Sequence, residues 1–316
     1  MVSGISKEII CRELIKNGYS VDNGAHVYDI ADRSFRYINI KMAKAFLKLR
    51  VHPRYKTTII DTEIKLLKQY CAGFFKGLEN SPFNLIDISC VDGTKAKVIA
   101  SILPKDMKIR YCPVSVNDYL IKLSLENIKK ENFSNIIDYA PRVSNDFESL
   151  DQVGTALRNV IYQKNVFLLL DSFLASFEIN DYLFRLSQSM LPDDLLLVGN
   201  GIRKGDRFAN LETYKHHLFN EWLNNLIYKL DFNDNEVEYN VRFTNNRLEI
   251  YYKIKTDKII SYEKNNIEFK KGDEIIVAFQ YKLYANELRD FCDMYFDNVE
   301  LMKDPTEEYA LVLCRR

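Results

Sequence analysis

Apolar residues recur at three- and four-residue spacing through "KMAKAFLKLR" (Lys41–Arg50) and "DTEIKLLKQYCAGFFKGL" (Asp61–Leu78), and this spacing predicts helices. "VHPRYKTT" (Val51–Thr58) breaks the pattern and reads as a loop, so residues 1–80 are expected to be mostly helical. From Asn84 the texture changes. "LIDIS" (Leu85–Ser89) is a short buried-strand pattern, followed by the helical "TKAKVIASIL". "IRYCPVSV" is a strand, and "NDYLIKLSLENIKKE" is a helix opened by a capping Asn117 or Asp118. "NIIDYAPRVSNDF" reads as another strand with its exit, "NVFLLLDSF" as a strong strand, and "INDYLFRLSQSML" as a helix before the strand of "PDDLLLVGNGI". Strands alternating with helices predict a parallel sheet with crossover helices, an α/β fold.

A block from about 205 to 283 departs from that rhythm. The helical "NLETYKHHLFNEWLNNLIYKLDF" precedes alternating strands around Asn245–Asn246, a hairpin signal. The helix "YANELRDFCDMYF" and the strand "EYALVLCRR" then resume the sheet, so the block reads as an insertion before its last elements. One turn carries more than connectivity. In "IDISCVDGTKAKVIASIL" (Ile86–Leu103) an apolar run ends in an acid, crosses a short irregular stretch and enters a helix. Nucleotide-binding turns of this shape carry two or three glycines, and here there is only Gly93.

Composition narrows the classes. Hydrophobic residues make up 47% of the 316 and aromatics 13%, enough for a core in one large domain or two modest ones. The 44 Lys and Arg residues balance 44 Asp and Glu, which argues against nucleic acid or an anionic membrane as partner. Six scattered cysteines without a C-x-x-C or a neighbouring His argue against a metal site and fit a reducing setting. Charges at Lys7, Glu8, Arg12 and Glu13 interrupt the apolar run a signal peptide needs, and no apolar run reaches the roughly 18–20 residues of a membrane helix, so a cytoplasmic protein is expected. None of His26, His52, His216 and His217 pairs with a Cys or Ser nucleophile, and His216-His217 reads as a surface or partner-facing pair.

From about residue 26 onward the chain resembles the histidine-specific, S-adenosylmethionine-dependent N-methyltransferase family of the ergothioneine route. "VYDIADRS" (Val27–Ser34) is similar to the family's L-Y-D-x-x-G-S, and "HPRYKTTIIDTE" (His52–Glu63) to its P-E-Y-Y-P-T-R-x-E. "IDISCVDGTKAK" stands where the family has Asp-Leu-Gly-Ser-Gly followed by a Lys, and "YCPVSVN" resembles Y-V-P-V-D-V-S. "NDFE" matches G-D-F-E, "LLLDSFLASF" matches F-L-G-S-T-I-G-N-L, and "GDEIIVAFQYKL" (Gly272–Leu283) matches G-E-x-x-x-T-E-x-S-x-K-F. The resemblance implies a class I methyltransferase (Rossmann-like) core with a second α+β substrate-binding lobe. Residues 1–70 would be the helical part of that lobe, 71–204 the core, 205–283 the inserted part of the lobe, and 284–316 the last helix and strand of the core.

S-adenosylmethionine carries an electrophilic methyl on a sulfonium, and an enzyme gains most by positioning it in line with a neutral amine. The resemblance assigns cofactor contacts to Asp87, Ser89, Lys95, Ser115 and the adenine-facing Asp146-Phe147. It assigns a catalytic role to Tyr28, and places Tyr28, Tyr55, Ser176, Ala278 and Gln280 at the substrate positions; Asp171, closing the fourth strand where the family has a Gly, would be a new catalytic acceptor. Plain roles stand beside these: Asp87 as a turn residue, Lys95 as a solvated first-turn lysine, and Asp171 as a helix cap.

Several positions depart from the family. Ser89-Cys90-Val91 replaces Gly-Ser-Gly, and a β-branched Val tolerates positive φ poorly. Ser115 replaces the carboxylate that grips both ribose hydroxyls, a loss on the order of 1–3 kcal/mol. Asp171 replaces a Gly and Ser176 an Asn, while Ala278 and Gln280 replace the Glu and Ser that read imidazole. Three functions stay open. One is a methyltransferase acting on the amine of an amino acid or related small molecule other than histidine. Another is a non-catalytic relative with a weak or lost cofactor site, serving as a binding or regulatory subunit with a protein partner. The third is a nucleoside-ligand enzyme of different chemistry.

Overall fold

The computed structural model describes residues 7–37, 39–78, 81–144, 150–205 and 211–316. Two compact units divide the chain: residues 1–49 with 208–281, and residues 50–207 with 282–316. The first boundary therefore falls at residue 49 and not at 70. The physical reason is the helix Asp61–Phe74, whose Leu66, Leu67, Cys71 and Phe74 belong to the hydrophobic core of the second unit.

That second unit, the core unit, holds α1 (Asp61–Phe74), β1 (Phe83–Ile88), α2 (Thr94–Ile102), β2 (Ile109–Ser115), α3 (Asp118–Lys130), β3 (Ile136–Tyr139) and α4 (Leu150–Leu157). It continues with β4 (Lys164–Leu169), α5 (Ile179–Ser189), β5 (Leu195–Gly201), α6 (Ala285–Asp293), β6 (Asn298–Lys303) and β7 (Tyr309–Arg315). The strand order is β6-β7-β5-β4-β1-β2-β3, with the two-residue strand Arg142–Val143 beside the end of β2. Strands β1 to β5 run parallel, while β7 enters antiparallel beside β5. The order reverses between β1 and β4, so the carboxyl ends of these two strands form the crevice where open α/β sheets bind ligands.

Every residue of β1, β2 and β5 is buried, as expected where helices cover both faces of a parallel sheet. On one face Phe83, Leu85, Tyr111 and Leu168 share a core with residues of α1 and α2. Helices α4 and α6 each lie against α5. Asn117 is the cap of α3, its side chain accepting from the Tyr119 amide, whereas Asp118 pairs with Lys122 one turn on.

The other unit has a five-stranded sheet in the order Ser20–Asp22, Ala25–Asp29, Glu274–Tyr281, Arg247–Ile254, Val237–Thr244. Its first two strands correct the expectation of helix through the first 80 residues. Ala25–Asp29 is only five residues long, and its partner strand lies some 250 positions later in the chain, so no local period announces it. The Asn245–Asn246 hairpin is present, both residues at positive φ (48° and 63°), as a type I′ turn requires. His216 caps the helix His217–Lys229 through Nδ1.

Within the core unit, Gly199 on β5 lies directly under the Glu63 carboxylate. A methyl group there would sit 1.8 Å from Glu63 Oε1. Gly199→Ala is expected to destabilise the fold by roughly 2–3 kcal/mol through overpacking. Equilibrium urea unfolding would show this as a lower midpoint at unchanged m-value, and an unchanged midpoint would remove Glu63 from this position.

Candidate functional site

After β1 the chain turns through Ser89, Cys90, Val91 and Asp92 before Gly93 opens α2. Ser89, Val91 and Gly93 adopt φ of 62°, 43° and 73°, and beyond β4 Asp171 and Ser172 adopt 61° and 54°. Only one of the five is a glycine. Each of the others is held in a left-handed conformation at a cost on the order of 1–3 kcal/mol. At Ser89, Val91 and Asp171, where the resembled family has glycine, the backbone keeps the glycine path.

A buried ion cluster fills the space between these loops. Arg50, at the end of the helix Ile40–Val51, donates from Nη1 to Asp171 Oδ2 at 2.8 Å and lies 3.6 Å from Asp92. Lys95, in the first turn of α2, donates to Asp171 Oδ1 at 2.5 Å and also pairs with Glu63. Glu63, fully buried on α1, accepts from the Asp171 amide at 3.1 Å and from the Tyr309 hydroxyl at 2.7 Å. Asp87 accepts from the Tyr111 hydroxyl at 2.8 Å. The cavity left among Arg50, Asp87, Cys90, Asp92, Lys95 and Asp171 measures about 10 Å³, the room of one water molecule.

The two loop carboxyls are driven in opposite directions. Burial pushes Asp87 up, the Tyr111 hydrogen bond offsets part of this, and its pKa reaches about 7. Burial acts on Asp171 in the same sense, but Arg50 and Lys95 outweigh it and hold the carboxyl down at about 2. Tyr55, itself buried, lies near enough to act electrostatically on Arg50 and on Tyr309.

Of the residues singled out from sequence, Asp87, Ser89, Lys95 and Asp171 meet at this cavity. Ser115 ends β2 almost fully buried, its hydroxyl accepting from the Asn117 amide at 3.2 Å. Ser176 is buried in the 3-10 turn Leu174–Ser176. Asp146 and Phe147 lie outside the described residues. Tyr28, Ala278 and Gln280 belong to the other unit. There the Tyr28 hydroxyl donates to the Glu268 carbonyl at 2.9 Å, and burial lifts its pKa to about 12. Ala278 is buried on Glu274–Tyr281, opposite Ile250, and Gln280 Oε1 accepts from the Tyr214 hydroxyl at 3.0 Å.

Arg50, Glu63 and Tyr309 were not legible as site residues. Glu63 had a signal, since it closes the "HPRYKTTIIDTE" match; Arg50 and Tyr309 had none. Lys282, the lysine of "GDEIIVAFQYKL", joins them. Its ammonium lies beside Gly201 at the carboxyl end of β5, where a methyl on that glycine would approach Nζ to 3.3 Å. Burial pulls the Lys282 pKa down to about 7. Among the described residues no group of His, Cys, Asp and Glu could hold a metal ion, and no helix is long and apolar enough to cross a membrane.

A doubly wound sheet ordered β6-β7-β5-β4-β1-β2-β3, with an antiparallel β7 and its crevice at β1 and β4, is the core of a class I methyltransferase. The chain belongs to the histidine-specific, S-adenosylmethionine-dependent methyltransferase family, whose model matches residues 44–316. S-adenosylmethionine is the cofactor of this family.

Solved structures similar to the chain include an S-adenosylmethionine-dependent methyltransferase from Clostridium acetobutylicum. It is 8% identical, with 86% of this chain and 98% of that chain covered and a TM-score of 0.47. An amino pentose methyltransferase from Micromonospora echinaspora, solved with its S-adenosylmethionine, is 10% identical over 88% of this chain and 98% of that one, at a TM-score of 0.41. A methyltransferase from Streptomyces caelestis is 12% identical over 79% and 94%, also at 0.41. No curated protein sequence matches the chain.

The residues at the crevice, as arranged, do not fit the cofactor's amino-acid tail. The space beside the loop is one water in size, and Lys95 is bonded to two of the chain's own carboxylates.

The carboxyl pKa values set a pH dependence. Asp87 has a folded value of about 7 against 3.8 unfolded, so the native state keeps a proton that the unfolded chain releases. Its contribution is most favourable below pH 4 and falls by on the order of 4 kcal/mol as pH rises to about 7. Asp171 acts oppositely: its contribution is present above pH 4 and is lost as pH falls toward 2. Urea midpoints measured from pH 4 to 8 should show Asp87→Asn flattening the decline seen in the wild type. Parallel curves for the two proteins would show that Asp87 is not the titrating group.

Proposed function

We propose that this chain is a non-catalytic member of its family, a methyltransferase fold kept as a binding or regulatory subunit for a protein partner. The observation that carries the reading is the Asp171 carboxylate, bonded to both Arg50 and Lys95 at the switch point of the sheet. The family resemblance gives Lys95 to the cofactor; here two internal carboxylates hold it. Calorimetric and thermal-shift titrations with S-adenosylmethionine and S-adenosylhomocysteine are expected to give no binding up to millimolar ligand. Micromolar binding of either would overturn the reading.

A second reading keeps catalysis on the amine of an amino acid or related small molecule other than histidine. It is favoured by the loop backbone, which holds the glycine path at Ser89, Val91 and Asp171. On both readings histidine is not the acceptor. The Ala278 side chain neither donates nor accepts, and Gln280 is engaged by Tyr214. A site without the groups that read a ring loses most of its discrimination for that ring. Mass spectrometry of the protein incubated with histidine and S-adenosylmethionine should detect no trimethylhistidine, and steady turnover to that product would contradict both readings.

A further inference from the structure

We propose that Arg50 and Lys95 form a carboxylate-binding site and that Asp171 plugs it from within the chain. The inference deepens the non-catalytic reading and rests on it. Arg50 and Lys95 come from different helices, yet each bonds a different oxygen of the same carboxylate, Nη1 to Oδ2 and Nζ to Oδ1. Each cation is only 4% exposed. Buried cations need carboxylates beside them: Glu63 serves Lys95 and Asp92 lies by Arg50, and Asp171 bonds both cations at once.

The backbone separates a plug from an ordinary ion pair. Asp171 sits at φ 61°, a conformation that glycine adopts freely and other residues adopt at a cost. Glycine, asparagine and aspartate all suit this path, and of the three only aspartate brings a charge. Its carboxylate is placed between the two cations. The other acids facing the cluster have their own commitments. Glu63 takes the Asp171 amide and the Tyr309 hydroxyl as well as Lys95, Asp92 stands 3.6 Å from Arg50, and Asp87 takes the Tyr111 hydroxyl. The ligand class that replaces Asp171 is a carboxylate, either a free small acid or the α-carboxylate of an amino-acid tail.

Chemical rescue tests this directly. Asp171→Gly removes the plug and suits the backbone. Asp171→Asn keeps the volume, tolerates left-handed φ and loses the charge, so it serves where the glycine variant does not fold. Thermal midpoints of wild type and variants are compared in sodium acetate and in sodium chloride of equal ionic strength. Acetate should raise the midpoint of the variants above its value in chloride and leave the wild type unchanged. A second arm titrates S-adenosylhomocysteine and 5′-methylthioadenosine, which lacks the amino-acid tail. Asp171→Gly should gain binding of S-adenosylhomocysteine, with a Kd about tenfold or more below the millimolar level at which the wild type shows none, the gain of one charge-assisted contact, and no such gain for methylthioadenosine. Acetate acting no differently from chloride on folded variants, or equal gains for the two nucleosides, would overturn the proposal. The two ideas fail separately: binding of S-adenosylhomocysteine by the wild type sinks the non-catalytic reading, while the acetate arm judges the plug alone.

Discussion

The core unit depends on charge compensation in one small volume, where β1 and β4 end. Arg50 and Lys95 meet Glu63, Asp92 and Asp171 there, with Asp87 alongside. Taking such groups out of water costs several kcal/mol per ion, and removing one partner of a buried pair typically costs 3–5 kcal/mol. The cluster is therefore held as a set. Glu63 joins α1 to the end of β4 through the Asp171 amide and to β7 through Tyr309, and Lys95 joins α2 to both. Gly199 follows from the same constraint, because the Glu63 carboxylate occupies the space a side chain there would need.

This cluster also accounts for two loops that keep an awkward backbone. Ser89, Val91, Asp171 and Ser172 all stay at positive φ. A loop free to relax would move such residues to ordinary φ, so the surrounding packing over-determines them. Val91 is buried, and Asp171 is fixed by Arg50, Lys95 and, through its amide, Glu63. Both loops thus hold left-handed backbone at residues other than glycine.

At the opposite end of the sheet Asp194 pairs with Arg158 and accepts from the Asn165 amide at 2.8 Å, and further polar contacts run through Asn84, Asn165 and Arg110. Arg110 Nε donates to Asn84 Oδ1 at 2.7 Å, and Asn84 Nδ2 donates to Asn165 Oδ1 at 2.8 Å. Arg110 also reaches the Leu157 carbonyl, and Asn165 the Gly154 carbonyl at 3.1 Å, so the trio satisfies the last turns of α4. The Arg110 guanidinium lies 4.2 Å from the Tyr162 ring centroid. These groups cap a helix from beneath the sheet and leave the crevice at the other end as the place where chemistry concerns the fold.

Much of the core unit was legible because its signals are local. The apolar runs of β1, β4 and β5, the cap at Asn117 and the turn at Asn245–Asn246 all lie within a few residues of what they determine. The strand Ala25–Asp29 was missed because its partner is Glu274–Tyr281, and Arg50 and Tyr309 were missed because nothing near them in the chain marks them. The sequence by itself determined the alternation β1-α2-β2-α3-β3 and β4-α5-β5 and the single glycine of the turn after β1, since period and residue type act at short range. Only the tertiary structure decided what fills that turn. Asp171 is 121 residues from Arg50 and 76 from Lys95, and a buried charge finds its partner through the packing of the whole sheet, at separations no local pattern records.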